Sequence, residues 1–387
     1  MMEEKEVCTM MDVMTLRNEL LSRFGLDINE AQITYSSHNF ACIFPKDVII
    51  RVHPGEEDRF AETELNFMRD AAKECPTVCG PLYSENENLI ERFVHDGTPI
   101  AATKFVKAQG APVKVTAINE EHAERIGEVL GAIHAAGLRG SYEAPNMMEK
   151  TEACLTELQT GKLNTYIPED MREKILGIIE ELRALTEKPG VNFGMLHGDL
   201  TNYNYFVDEK GQCWVYDFGD CHRGFYIYDV ATLLLAWLMI QGVNAGQSSV
   251  KDTAENLISA LRNGYERKMV LPEEEWEKLG LFMRYRAAQM CMRMAYNLNH
   301  PENLVAGNEG AQKGLHDLFE LMESDSIWTA LQQRKNKQAQ MIQLAIKMLR
   351  EGPNKDDPAE MALWETINSP SYKPFVMGIL KSAGIEA

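Results

Sequence analysis

The stretch from Leu196 to Asp220, LHGDLTNYNYFVDEKGQCWVYDFGD, constrains the fold more than any other part of this chain. It contains His197-Gly198-Asp199, with Asn204 five residues after Asp199. Two short β-rich runs follow, Tyr205–Val207 and Gln212–Tyr216, joined by the turn Asp208-Glu209-Lys210-Gly211. Asp217-Phe218-Gly219 closes the stretch, and Asp217 lies 13 residues beyond Asn204. A two-stranded hairpin of that length brings Asp217 back beside Asn204. An amide and a carboxylate so placed offer hard oxygens to Mg²⁺, which keeps water and phosphate oxygens in its other positions. Asp199 is then placed to accept a proton from a substrate hydroxyl, or to orient that hydroxyl. The competing reading is an Asp- and Asn-rich loop with ordinary turn chemistry. The hairpin and the second carboxylate at the right distance favour the site.

Periodicity places the rest of the chain around this segment. Met11 to Phe24 has helical spacing and stops at Gly25. Three short strands are expected at Ile33–Ser36, Phe40–Phe44 and Val48–Val52, forming an antiparallel meander. Arg59 to Lys73 returns to helical period, and Leu89–Phe93 with Pro99–Val106 form a hairpin around His95-Asp96-Gly97. After Gly110, helices are expected over Asn119–Ala136 (ending at Gly137), Thr151–Leu163 and Pro168–Leu185. Nearly everything from Asp229 onward reads as helix. The expected class is α+β, with a β-rich N-terminal lobe over residues 1–106 and a larger helical lobe over 107–387. The connection falls near residues 104–110.

Charge and cysteine usage exclude several functions. Lys plus Arg is 39 and Asp plus Glu is 58, a net charge of −19, so no polyphosphate-binding surface of clustered cations is expected and no nucleic-acid partner. The longest apolar run, Val230 to Ile240, is 11 residues, too short to span a bilayer. Met1 to Met11 is acidic and has no basic region followed by an apolar core. The eight cysteines are scattered, and Cys75/Cys79 have no second matching pair for zinc. The expectation is a cytoplasmic protein with reduced thiols and no membrane partner.

With HGDLTNYN and DFGD in place, the chain resembles the aminoglycoside phosphotransferase and choline kinase-type small-molecule kinases. Those enzymes share a bilobal protein kinase-like fold. Two further segments support the resemblance: Glu128 to His134, a helix ending in Ile-His, and Phe225 to Ala231, where Asp229 opens the next helix. The likeness covers roughly residues 10–300. Protein kinases read HRD and carry an APE segment after DFG. Here Gly198 stands in the middle and no APE follows, which sets a protein-kinase activity aside.

The resemblance implies a role for each matched residue. Asp199 would be the catalytic base, and Asn204 and Asp217 would hold Mg²⁺. Asp229 would brace the loop, with His197 structural. The strand cation that grips the phosphates of ATP (or GTP) falls on Arg51, where Lys is more usual. Its partner is expected at Glu64, with Glu62 the competitor. The phosphate-covering turn is Ser36-Ser37-His38-Asn39; it lacks Gly, so Ser37 and Asn39 would contribute side-chain or backbone groups. Adenine would rest against Lys104-Phe105-Val106. An intact Asp199/Asn204/Asp217 set points to turnover. The Arg51 departure and the Gly-free turn would also suit a nucleotide-binding regulatory protein or pseudokinase. The acceptor is expected to be a small molecule with a hydroxyl, in a pocket built from the later helices. The stripe Phe282, Tyr285, Met290, Met292, Met294, Tyr296 could line that pocket or be plain core. Asp220 and the general acidity hint at a cationic acceptor.

Overall fold

A computed structural model describes residues 13–35, 39–45, 47–55, 61–113, 118–187, 190, 192–241, 249–300, 308–324 and 326–369. Val13–Leu16 forms a 3₁₀ turn leading into α1 (Arg17–Phe24), and strands β1 (Gln32–Tyr35), β2 (Phe40–Ile43) and β3 (Val48–Pro54) follow as the expected meander. Helix α2 (Ala61–Glu74) precedes the short β4 (Pro81–Leu82), then β5 (Glu91–His95) and β6 (Thr98–Val106) form the expected hairpin. The sheet runs β1-β2-β3-β6-β4, with β5 also on β6.

Alternation along these strands divides the sheet into two faces. Phe40, Cys42, Ile50, Val52, Ile100 and Ala102 pack under the N-terminal helix residues Leu16, Leu20 and Phe24. The opposite face receives α2: Leu65, Phe67, Met68 and Ala71 share a core with Ala101 and Phe105. Residues facing α2 on β3 are therefore the odd-numbered ones, including Arg51.

Strand β7 (Ala111–Pro112) leads to α3 (Glu120–Arg139), α4 (Glu152–Gln159) and α5 (Glu169–Thr186). Asn119 caps α3, its side chain accepting from the His122 amide, with Glu120 and Glu121 in the first turn. The expected stop at Gly137 is corrected: α3 continues to Arg139. A Cβ at Gly137 would sit 2.6 Å from the Met195 carbonyl oxygen, so this glycine marks a close approach rather than a cap.

Strands β8 (Phe193–Leu196), β9 (Tyr205–Val207), β10 (Cys213–Val215) and β11 (His222–Phe225) carry the motif segment. β9 and β10 pair antiparallel as the predicted hairpin, β7 adds to β9, and β8 pairs with β11. Among the described residues, seven helices follow: α6 (Ile227–Gln241), α7 (Val250–Tyr265), α8 (Glu273–Glu277), α9 (Leu279–Asn299), α10 (Asn308–Met322), α11 (Ile327–Glu351) and α12 (Pro358–Asn368). Helix α6 is apolar on all sides and buried, which is where the 11-residue apolar run goes. Helices α3 and α7 cross closely because a Cβ at Gly264 would overlap the Glu124 carbonyl oxygen. Among the described residues no helix is long and apolar enough to cross a membrane, and the seven described cysteines are free thiols.

Candidate active site

The loop between β8 and β9 is held from below by one carboxylate. Asp229, fully buried in the first turn of α6, accepts from the amides of His197 (2.7 Å) and Gly198 (2.9 Å) and from His134 Nε2 (3.0 Å). Burial would raise the Asp229 carboxyl, but the bonds from His134 and the loop hold it below the ordinary carboxylate value. Burial drives His134 below its ordinary value, so it is neutral, donating from Nε2 and accepting the Tyr265 hydroxyl at Nδ1 (2.8 Å). This gives the Ile-His ending and the Asp229 segment a shared physical reason.

Gly198 has φ +85°, and a Cβ there would overlap the Asp220 carbonyl oxygen. Only glycine lets the loop pass this close to the DFGD segment. His197 is buried; its Nε2 donates to the Tyr216 carbonyl (3.0 Å), and its Nδ1 faces the Asp199 amide (3.4 Å). Phe218 packs its ring at a tilt against His197 (4.5 Å between centroids) and edge-to-face against Phe67 of α2 (5.5 Å). The loop, the DFG turn and α2 are thus one packed unit.

The three motif residues converge. Asn204 Nδ2 donates to the Asp199 carbonyl (2.8 Å) and lies 3.3 Å from Asp199 Oδ2. With its NH₂ committed there, the amide oxygen of Asn204 is left for another group. The Tyr216 amide donates to the Asn204 carbonyl (3.1 Å), which sets Asp217 one residue from that contact. Asp217 has φ +63°, a conformation Asp tolerates better than most residues. Its carboxylate is exposed and has no hydrogen-bond partner among the described residues. The donor set, one amide oxygen and one free carboxylate, is the hard-oxygen chemistry Mg²⁺ takes. No group of three His, Cys, Asp or Glu side chains gathers for a metal among the described residues.

In the sheet, Arg51 Nη2 donates to Glu64 Oε1 of α2 at 2.7 Å, and the guanidinium lies over the Phe105 ring at 5.0 Å. Glu62 instead faces outward to Arg92 (3.1 Å), which decides between the two glutamates.

A family model described as the phosphotransferase enzyme family, APH, matches residues 27–280. The chain belongs to this family. The match is shorter at both ends than the roughly 10–300 expected. A homoserine kinase from Pseudomonas aeruginosa is 29% identical over 146 residues, covering 38% of this chain and 44% of the relative's length. The chain thus aligns with less than half of that enzyme. A mouse hydroxylysine kinase is 23% identical over 290 residues, 68% of this chain and 73% of the relative. Among solved structures, an amicoumacin kinase in complex with AMP-PNP and Ca²⁺ superposes with a TM-score of 0.66 at 18% identity, covering 84% of this chain and 97% of the other. The protein kinase-like fold is thereby shared.

Lys104 and Val106, expected in the connector, are the seventh and the last residue of strand β6. The Val106 amide is taken by the Gly80 carbonyl (3.1 Å) and the Lys107 amide by Asp47 (2.9 Å). Lys104 pairs in register with Ile50, so it stands on the face opposite Arg51, within 4.0 Å of Glu85. Asn39 begins the chain into β2, and Ser37 lies outside the described residues.

Sequence reasoning missed Arg286. From α9, its Nη2 donates to Asp199 Oδ1, while Nη1 bonds the Tyr228 hydroxyl and Gln289 Oε1, each at 3.1 Å. Burial works against its charge, but Tyr228 and Asp199 hold it firmly protonated. Beside it lies a cavity of about 290 Å³ between the loop, α4 and α9, lined in part by Lys150, Gly198, Asp220, Arg293 and Asn297. Tyr296 lines this cavity, whereas Phe282, Tyr285 and Met292 are fully buried core.

Proposed function

We propose that this chain is an ATP·Mg-dependent phosphotransferase that moves the γ-phosphoryl group to a hydroxyl of a small molecule. ATP or GTP would lie between lobes spanning residues 1–106 and 107–387. The observation that carries this reading is the convergence of Asp199, Asn204 and Asp217 on one loop edge, braced by buried Asp229. Asp199 takes the proton from the acceptor hydroxyl as its oxygen attacks the γ-phosphorus; the bond from that phosphorus to the β–γ bridging oxygen breaks, and the nucleoside diphosphate leaves. Arg286 fixes one carboxylate oxygen of Asp199, so the other is presented in a set orientation. Arg51, held by Glu64, would grip nucleotide phosphates; Arg is always charged and forks onto two oxygens. Asn204 and Asp217 would hold Mg²⁺, which when bound neutralises charge on the phosphate oxygens. Ser37, Asn39, Lys104 and Val106 remain proposed nucleotide contacts through backbone or polar groups. The acceptors named for relatives, homoserine and hydroxylysine, are small hydroxyl compounds, as are the aminoglycoside- and choline-like acceptors implied by the motifs.

Calorimetric titration of ATP with and without Mg²⁺ tests the nucleotide half of this reading. Mg²⁺ should tighten ATP binding in the parent chain, and Asp217→Asn should remove most of that gain. Equal Mg²⁺ dependence in the two proteins would contradict the assignment of Asp217.

A further inference from the structure

The chain carries a net charge of −19, yet the cavity beside Asp199 is walled by three cations. Lys150, Arg286 and Arg293 face it, against the single wall carboxylate of Asp220. Even with Asp199 counted, the balance is 3 − 2 = +1. A pocket shaped for a polycation or a quaternary amine would present the opposite balance, because like charges brought together in a partly dehydrated site repel strongly.

The three cations are not equivalent. Arg286 is committed: its two terminal nitrogens already serve Asp199, Tyr228 and Gln289. Lys150 and Arg293 are not. They approach opposite oxygens of Asp220, Lys150 to Oδ1 at 3.6 Å and Arg293 to Oδ2 at 3.4 Å. Those distances exceed the roughly 2.7–2.9 Å of a closed charge-assisted hydrogen bond. Both cations therefore keep donors for an incoming anion, while Asp220 keeps acceptor capacity for a cation next to it. Gly198, the residue before Asp199, lines the same cavity, and Arg286 on its wall is bonded to Asp199 Oδ1, so a group held by Lys150 and Arg293 lies in the cavity next to the proposed base.

Resting on the phosphotransferase reading above, we propose that the acceptor is a hydroxy acid of zwitterionic type. Its carboxylate is taken by Arg293 and Lys150, its ammonium faces Asp220, and its hydroxyl is directed to Asp199. This reverses the hint of a cationic acceptor drawn from Asp220 and overall acidity. Asp220 sits among cations, with Lys150, Arg286 and Arg293 as its charged neighbours in the cavity lining.

Matched acceptors test the proposal. The protein is supplied with ATP and Mg²⁺ and with L-homoserine, L-threonine or 5-hydroxylysine, with the methyl ester of each, and with choline, ethanolamine and kanamycin. Products are read by mass spectrometry and rates by ADP release. At least one acid should be phosphorylated, with kcat/KM at least about tenfold above that of its ester, mainly through KM. Arg293→Gln, at an exposed position of α9, should raise KM for the acid and narrow the gap between acid and ester. Lys150→Gln should do the same. Equal kcat/KM for acid and ester would overturn the proposal, as would an acid-to-ester ratio unmoved in both variants. Transfer to choline, ethanolamine or kanamycin in preference to every acid, lost in Asp199→Asn, would overturn it while leaving the phosphotransferase reading standing. Absence of Asp199-dependent transfer to any of these acceptors would overturn both.

Discussion

Asp229→Asn isolates the brace beneath the loop with a change of one atom. The carboxylate accepts three hydrogen bonds: two at Oδ2, from the His197 amide and His134, and one at Oδ1, from the Gly198 amide. Asparagine has one acceptor oxygen and an NH₂, so at least one loop N–H is left facing another donor in a fully buried site. An unsatisfied buried donor costs about 1–3 kcal/mol. The surviving bonds lose their charge-assisted character, about 0.5–1 kcal/mol each. Against this, neutralising a buried carboxylate recovers desolvation energy. That gain is the smaller effect, because the Asp229 carboxyl is held below its ordinary value despite burial, so the site favours the charged form. The net expectation is about 2–4 kcal/mol of lost stability. Urea unfolding followed by tryptophan fluorescence measures it, and turnover should fall as the loop loses its fixed position. A variant within about 0.5 kcal/mol of the parent, with unchanged turnover, would refute the brace.

Other outcomes follow from the same structure. Arg51→Met should raise KM for ATP by about tenfold and should also cost about 1–3 kcal/mol of stability, because it leaves the buried Glu64 carboxylate without its partner; steady-state kinetics and a melting curve separate the two effects. Gly264→Ala should destabilise by about 2–4 kcal/mol, because a methyl there overlaps the Glu124 carbonyl at the α3–α7 crossing; chemical unfolding reads this directly. His122, buried and bonded to the Tyr205 hydroxyl (2.9 Å), is pushed down to about 4 by burial from an ordinary value of 6.5. The unfolded chain therefore binds this proton first, so stability falls as pH drops from about 6.5 to 4, by at most about 3 kcal/mol from this group. Unfolding midpoints across that window should show the loss, and His122→Gln should flatten it.

The parts legible in the sequence were those whose partners lie close along the chain or in a strict period. The hairpin between Asn204 and Asp217 is such a case, since its turn chemistry and spacing place both ends. Arg51 was located by the family resemblance, and Glu64 as its partner by helix facing. Arg286 was not, because it reaches Asp199 across 87 residues from a helix whose sequence, Met283-Arg-Tyr-Arg286, offers nothing to rank one arginine above another. Gly137 misled because a glycine required by a neighbouring strand looks like a glycine that ends a helix. The face that Lys104 takes was not legible, because strand parity places it on the far side of the sheet from Arg51, a distinction that depends on register and not on composition. The sign of the acceptor pocket was likewise hidden: Lys150, Arg286 and Arg293 meet only when α9 packs against the loop.

The central claim, phosphoryl transfer with Asp199 as base, is tested most directly by comparing the parent protein with Asp199→Asn. Each is incubated with ATP, Mg²⁺ and the acceptor panel, with products read by mass spectrometry and ATP affinity measured alongside. The parent should convert an acceptor to its phosphate ester, and the variant should lose about 10²–10⁴-fold in kcat while still binding ATP. Equal turnover by both proteins, or ATP binding with no acceptor modified by the parent, would contradict the account.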